Sequence, residues 1–196
     1  MTQRSVSRLA AVAAMTITLT SLGACGRSDR PSAQNSPEAA NSPRETPVAS
    51  ETNPPGDIPD SQAFIEYRSP AGYSLKVPEG WARTVRGANV IFTDKLDGIS
   101  VTVPRVPDTP ASIEASGRAG SGFKTQAATL AAGRAIEVTF ASNSDPNQVT
   151  GKKVRLENDV IILGRGVRHA TLRLWAPLGA DNVDQWNSIK RSFRFF

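Results

Sequence analysis

From residue 61 onward, apolar and polar residues alternate with a period of two in several short runs. Tyr73, Leu75 and Val77 alternate with Ser74 and Lys76, and Ile99, Val101 and Val103 with Ser100 and Thr102. Ile136, Val138 and Phe140 repeat the pattern, and Ala170, Leu172 and Leu174 oppose His169, Thr171 and Arg173. Such runs predict half-buried strands, at 64–68, 73–77, 90–93, 99–103, 134–141, 149–156, 160–163 and 167–175. Ser69-Pro70-Ala71-Gly72 and residues 94–98 read as turns, and Glu157-Asn158-Asp159 reads as the loop of a hairpin. Two stretches have helical spacing instead. Residues 110–115 follow Thr109 as N-cap with Pro110 at the first position, and Asp181 caps a helix with Val183, Trp186, Ile189 and Phe193 on one face. Strands joined by short turns with helices packed on them predict an α+β domain whose central antiparallel β-sheet is flanked by helices.

The first 25 residues follow a different pattern. Arg4 and Arg8 carry positive charge with no acid nearby, and residues 9–22 are apolar or small. That run is shorter than the roughly 20 residues of a membrane-spanning helix, so a signal peptide is predicted. No Arg-Arg pair precedes it to suggest twin-arginine export. The run ends in Leu22-Gly23-Ala24-Cys25, which resembles the bacterial lipobox. The resemblance implies diacylglyceryl transfer to the Cys25 thiol, cleavage after Ala24, and a mature lipoprotein anchored in the cell membrane on its extracytoplasmic side. Two or three acyl chains anchor stably where one binds reversibly.

Removing residues 1–24 of the 196 leaves 172, room for one ordinary domain and a tail. The tail is 25–60. Beyond Cys25 it holds seven of the fourteen prolines, no aromatic residue, and only Val48 and Ile58 as large aliphatics. Such a composition predicts a mobile tether, with a reach on the order of 30 Å. All twelve aromatic residues fall within 61–196, which is therefore the folded domain.

Composition narrows the chemistry. A single cysteine excludes an intramolecular disulfide framework, a CxxC pair and a Cys₄ zinc site, and a single histidine excludes a His-rich metal cluster. No cofactor and no metal are expected. The domain carries 18 basic and 12 acidic side chains, a net +6 without a run of five like charges, and no nucleic-acid motif. Nucleic acid is not expected as a partner.

The run Tyr73-Ser74-Leu75-Lys76-Val77-Pro78-Glu79-Gly80-Trp81 resembles the opening of the PsbP-like family, the extrinsic photosystem II proteins and their bacterial relatives. Phe92 with Asp94, and Trp186, Ile189 and Ser192-Phe193 near the end, follow in the order seen in that family. The resemblance implies an α/β/α sandwich and a non-catalytic binding or assembly role. It carries over no metal-binding or photosystem-contact residue.

Candidates for chemistry are few. His169 faces away from the apolar side of its run, with no Gly-x-Ser-x-Gly nucleophile elbow to serve. Gly164-Arg165-Gly166 lacks the spacing for phosphate binding and reads as a turn, and Gly120-Ser121-Gly122 as a flexible loop. Trp81, Trp175 and Trp186 read as core. Lys153 and Arg155 are candidates to share one sheet face with Glu137, Thr139, His169 and Arg173, giving either a cationic recognition face or cross-strand charge pairing under a helix. The expected function is that of a membrane-anchored, non-catalytic binding or assembly module, with an envelope protein or a small amphiphilic ligand as partner. A carrier for an apolar or amphiphilic envelope molecule is the alternative, and a hydrolase of envelope polymers a third reading.

Overall fold

The computed structural model describes residues 45–49, 56–116 and 119–196. The expected signal peptide (1–24), the lipobox-like run and Cys25 lie outside them. Among the described residues there are ten strands and two helices. The strands are β1 (Phe64–Ser69), β2 (Tyr73–Pro78), β3 (Ala82–Arg86), β4 (Asn89–Asp94), β5 (Asp97–Thr102), β6 (Ser121–Leu130), β7 (Gly133–Asn143), β8 (Arg155–Arg165), β9 (Arg168–Pro177) and β10 (Arg194–Phe195). The helices are α1 (Pro110–Ala115) and α2 (Val183–Ser192).

Every strand pairing is antiparallel, as the short turns predict. The strands form two sheets: a small one ordered β1-β2-β10, and a seven-stranded one ordered β3-β4-β5-β9-β8-β7-β6. The main core lies between them. Tyr73, Leu75 and Val77 of β2 and Ile189 and Phe193 from α2 and its end meet Val90, Phe92, Ile99, Val101, Leu172 and Leu174 of the large sheet. The Phe193 ring stacks on Tyr73 at 5.6 Å and meets Phe195 edge-on at 5.2 Å. Among the described residues the large sheet is covered on this face by the small sheet together with α2, the longer of the two helices, so the fold is more strand-dominated than the expected α/β/α sandwich.

Further expectations are corrected. Glu157-Asn158-Asp159 is no hairpin loop: β8 runs straight through it, and the turn comes at Gly166-Val167, with Arg165 opposite Arg168. Gly166 has φ +62°, which suits glycine in so tight a turn. The α2 N-cap is Asn182, not Asp181, and its side chain makes no cap bond. Instead Asn182 Oδ1 accepts from the Ile58 N–H at 2.7 Å and Nδ2 donates to the Gly56 carbonyl at 2.8 Å. That bond pair, with Ile58 itself buried, fixes 56–58 to the domain where composition predicts a mobile chain. Finally, β3 and β6 escape the alternation pattern because both are edge strands, largely exposed and polar. Ser121 and Gly122 open β6 rather than forming a loop.

Candidate functional site

Strand register decides which side chains share a face. Leu172 opposes Ile161 and Val101, so the even residues of β9 and the odd residues of β8 point to the main core. Thr171, Arg173 and Trp175, with Ser100 and Thr102 of β5 and Asn158 and Val160 of β8, therefore lie on the outer face. This face carries its own small apolar cluster of Val138, Phe140, Val160 and Ile162, against which Ile113 of α1, Ala119 and Phe123 pack.

α1 is short, and its capping holds it together. Thr109 Oγ1 accepts from the Ser112 N–H at 3.1 Å, and Ser112 Oγ accepts from the Thr109 N–H at 3.0 Å. Asp108, just before the cap, ties the helix to the sheet: its Oδ2 accepts from Thr171 Oγ1 at 2.6 Å and its Oδ1 from Ser112 Oγ at 3.3 Å. His169 supports the same connection, its Nε2 donating to the Pro104 carbonyl. Between α1 and the sheet remains a trough of about 330 Å³. One side is polar, with Ser100, Thr102, Asp108, Thr171 and Arg173, and the other apolar, with Ile113, Phe140 and Val160.

Arg173 stands at one end of the trough and also lines a second, polar depression of about 500 Å³ with Trp175, Lys95 and Asn143. Its position is fixed by neighbours. Nε and Nη2 donate to Asn158 Oδ1 at 3.0 and 2.6 Å, and the guanidinium lies 5.0 Å from the Trp175 ring centre. Gly98 opposes Trp175 across the strands, and a Cβ there would fall inside the indole. A glycine at this position is what lets the ring lie flat on the sheet. Trp175 is thus an outer-face residue, while Trp81 and Trp186 are half-buried against the main core.

The inner face carries a charge cluster where α2 crosses β7 and β8. Lys190 Nζ donates to Glu137 Oε1 and Asp159 Oδ2, both at 2.7 Å. Burial pushes the Asp159 carboxyl up to about 6 against the pull of Lys190, with Glu137 adding to the rise. Burial also acts on Glu137, but hydrogen bonds from Lys190 and Gln126 outweigh it and hold that carboxyl below its ordinary value. Glu157 is raised by burial and by Asp159.

The proposed single cationic face therefore does not form. Lys153 is exposed in the connection before β8. Arg155 shares the parity of Glu157 and Asp159, and Thr139, opposite Asp159, and Glu137, opposite Ile161, lie on that same face, whereas His169 and Arg173 occupy the other. What sequence reasoning missed is Asp108, Gly98 and Asn158. Their partners lie on distant segments, so no local spacing marks them. Among the described residues no group of three His, Cys, Asp or Glu side chains is placed to hold a metal ion.

No protein-family model matches the sequence, and comparison with curated proteins gives no match. Among solved structures the chain is similar to the solution structure of cyanobacterial PsbP (CyanoP) from Synechocystis sp. PCC 6803, at 14% identity and a TM-score of 0.45, covering 74% of this chain and 99% of that one. It is also similar to the crystal structure of LpqN, involved in cell envelope biogenesis of Mycobacterium tuberculosis, at 18% identity and a TM-score of 0.31, covering 71% of this chain and 81% of that one. The first bears the name of the family that the 73–81 run resembles. No residue assignment passes from either protein to this chain.

Proposed function

We propose that this chain is a lipid-anchored binding or assembly module on the extracytoplasmic side of the cell membrane, acting without catalysis, and that the trough beneath α1 receives its partner. One observation carries the reading. The centre of the inner face is filled by buried apolar side chains, while the outer face keeps, under α1, an open depression with polar and apolar walls side by side. Mixed walls of this kind suit a protein surface, where a few apolar anchors sit within a hydrogen-bonding rim. The same mixture favours a second reading, an amphiphilic small molecule with its anionic end at Arg173 and its apolar part on Ile113, Phe140 and Val160.

The test is photo-crosslinking in intact cells, with Cys25 left free to be acylated and the crosslinker in place of Ser116 at the trough rim. A discrete adduct is expected from that position and not from Val149, a loop residue 93% exposed. Identical labelling from both positions defeats the proposal. Attachment is tested separately. Cys25→Ser is expected to release the protein from high-salt-washed membranes, since a domain of net +6 adheres only in a salt-sensitive way. Retention of that variant defeats the lipoprotein reading.

A further inference from the structure

Residues 45–49 have the composition of a spacer, yet they are seated on the end of the large sheet, and the seat is specific. Arg155 opens β8 with its side chain only 3% exposed. The domain holds its guanidinium from several directions: Nη2 donates to Ser121 Oγ at 2.6 Å and to the Ala141 carbonyl at 3.1 Å, and Nη1 donates to Asn143 Oδ1 at 3.0 Å. Glu45 Oε1 completes the set, accepting from Arg155 Nη1 at 2.9 Å and from the Asn143 backbone N–H at 2.7 Å. Gly120 keeps the space open, since a Cβ there would fall on the Glu45 carboxylate.

Asn143 then grips the backbone that follows. Its Nδ2 donates to the Thr46 carbonyl at 2.8 Å, and its Oδ1 accepts from the Val48 N–H at 3.2 Å. The Thr46 and Pro47 side chains remain exposed. The seat therefore selects one carboxylate and otherwise holds main chain. That division of labour is how extended peptides are recognised: charge and pocket give selectivity, backbone bonds give affinity. A buried guanidinium is costly to leave without its anion, so the seat favours an occupied state.

We propose that Arg155, Asn143 and Gly120 form a binding site for an extended acidic peptide segment, filled at rest by the chain's own residues 45–48 and open by exchange to a partner protein's segment of the same form. It involves none of the residues that tie α1 to the sheet, so it stands or falls independently of the trough. The resident segment is joined to Gly56 and Ile58, themselves fixed by Asn182, through a short connection. Its effective concentration is on the order of millimolar, and a free peptide competes well only once the resident segment is loosened.

The test uses a fluorescent peptide of residues 42–50 (Ser-Pro-Arg-Glu-Thr-Pro-Val-Ala-Ser) and a second peptide with Gln in place of Glu. The full chain with Glu45→Gln and Val48→Pro loses the internal carboxylate and the N–H that Asn143 accepts. It is expected to bind the Glu peptide at least about tenfold tighter than the parent chain does, and the Gln peptide at least about tenfold more weakly than the Glu peptide, the range of one charge-assisted hydrogen bond. In the parent chain, millimolar Glu peptide is expected to shift the Asn143 backbone amide resonance while the Gln peptide leaves it unmoved. Equal binding of the two peptides, or no gain over the parent, overturns the proposal. If the double variant does not fold, an Asn143 resonance that ignores the Glu peptide overturns it equally.

Discussion

The two faces of the large sheet are built from the same strands, and they differ both in the side chains they carry and in what covers them. On the inner face Ile99, Val101, Leu172 and Leu174 are at most 1% exposed beneath β2, β10 and α2. On the outer face a smaller cluster lies under α1, a six-residue helix with no buried residue of its own. Burial of apolar area is the main favourable term in folding, so the inner face carries most of the stability. The outer face, less demanded by the core, has room for Asp108, Thr171 and Arg173 in a geometry that packing alone does not require. The main stabilising core and the trough proposed to receive a partner thus lie on opposite faces of one sheet.

The largest effect that tests this separation is Phe193→Ala. Phe193 is fully buried, stacked on Tyr73 and edge-on to Phe195. Its truncation is expected to cost about 3–5 kcal/mol, read from the urea midpoint. Trp186, whose apolar spacing suggests an equal role, is only half-buried, and its truncation is expected to cost less. A loss below about 1 kcal/mol at Phe193 would mean that the inner layer is not the stabilising one.

Next is Lys190→Met, which leaves Glu137 and Asp159 near one another without their cation. Removing one partner of a buried pair costs about 3–5 kcal/mol, and this cluster, with side chains 7–13% exposed, belongs at or below the lower end. The sign with pH follows from Asp159, whose carboxyl is already raised to about 6 by burial and rises further once Lys190 is gone. As pH falls from 8 to 5 the carboxyl takes up its proton and the charge that was costly to bury disappears. The deficit relative to the parent should therefore shrink on acidification. A deficit that stays constant over this range would mean that lost packing of the lysine stem, not charge, is responsible.

The centre of the inner face was legible in the sequence, because β5 and β9 set large apolar residues, Ile99, Val101, Leu172 and Leu174, at every second place. The polar interior of β8 was not. Glu157-Asn158-Asp159 has turn composition, and partners distant in sequence, Lys190 for Asp159 and Phe140, Ser142 and Arg173 for Asn158, make it acceptable inside a strand. The same holds for the seat of residues 45–48, where Glu45 lies 110 positions from Arg155 and no local pattern announces the pairing. β3 and β6 were missed for the opposite reason: edge strands with exposed side chains have no buried face to impose alternation.

A smaller effect is expected at the sheet end beside Gly56. Asp97 is 5% exposed, its Oδ1 has no hydrogen-bond partner, and burial, with Asp94 and Asp57 nearby, pushes its carboxyl up to about 7. A carboxyl raised in the folded state holds its proton there while the unfolded chain releases it, so stability falls as pH rises from about 4 to 7. Asp97→Asn removes that loss. The variant should be more stable than the parent at pH 8, by about 1–2 kcal/mol after allowance for screening by water, and equal to it near pH 4. A variant less stable at pH 8 would show that the charged carboxylate has a partner that outweighs its burial.

The smallest effect on stability, and the one most diagnostic of the outer face, belongs to Ile113→Ala. Ile113 is the side chain that α1 lays on the outer cluster, and it also walls the trough. It is half-buried, so its truncation removes only part of the apolar contact that a core isoleucine would lose, and about 1 kcal/mol or less is expected. If the trough receives a partner, the same truncation takes away an apolar anchor at the centre of the contact, where a few residues carry most of the binding energy. Crosslinking from position 116 should then weaken severalfold while the urea midpoint hardly moves. The paired control is Phe193→Ala, measured below its unfolding range, which should leave crosslinking intact. An Ile113→Ala protein that crosslinks like the parent would place the binding surface elsewhere, and one that unfolds as readily as Phe193→Ala would remove the difference between the two faces.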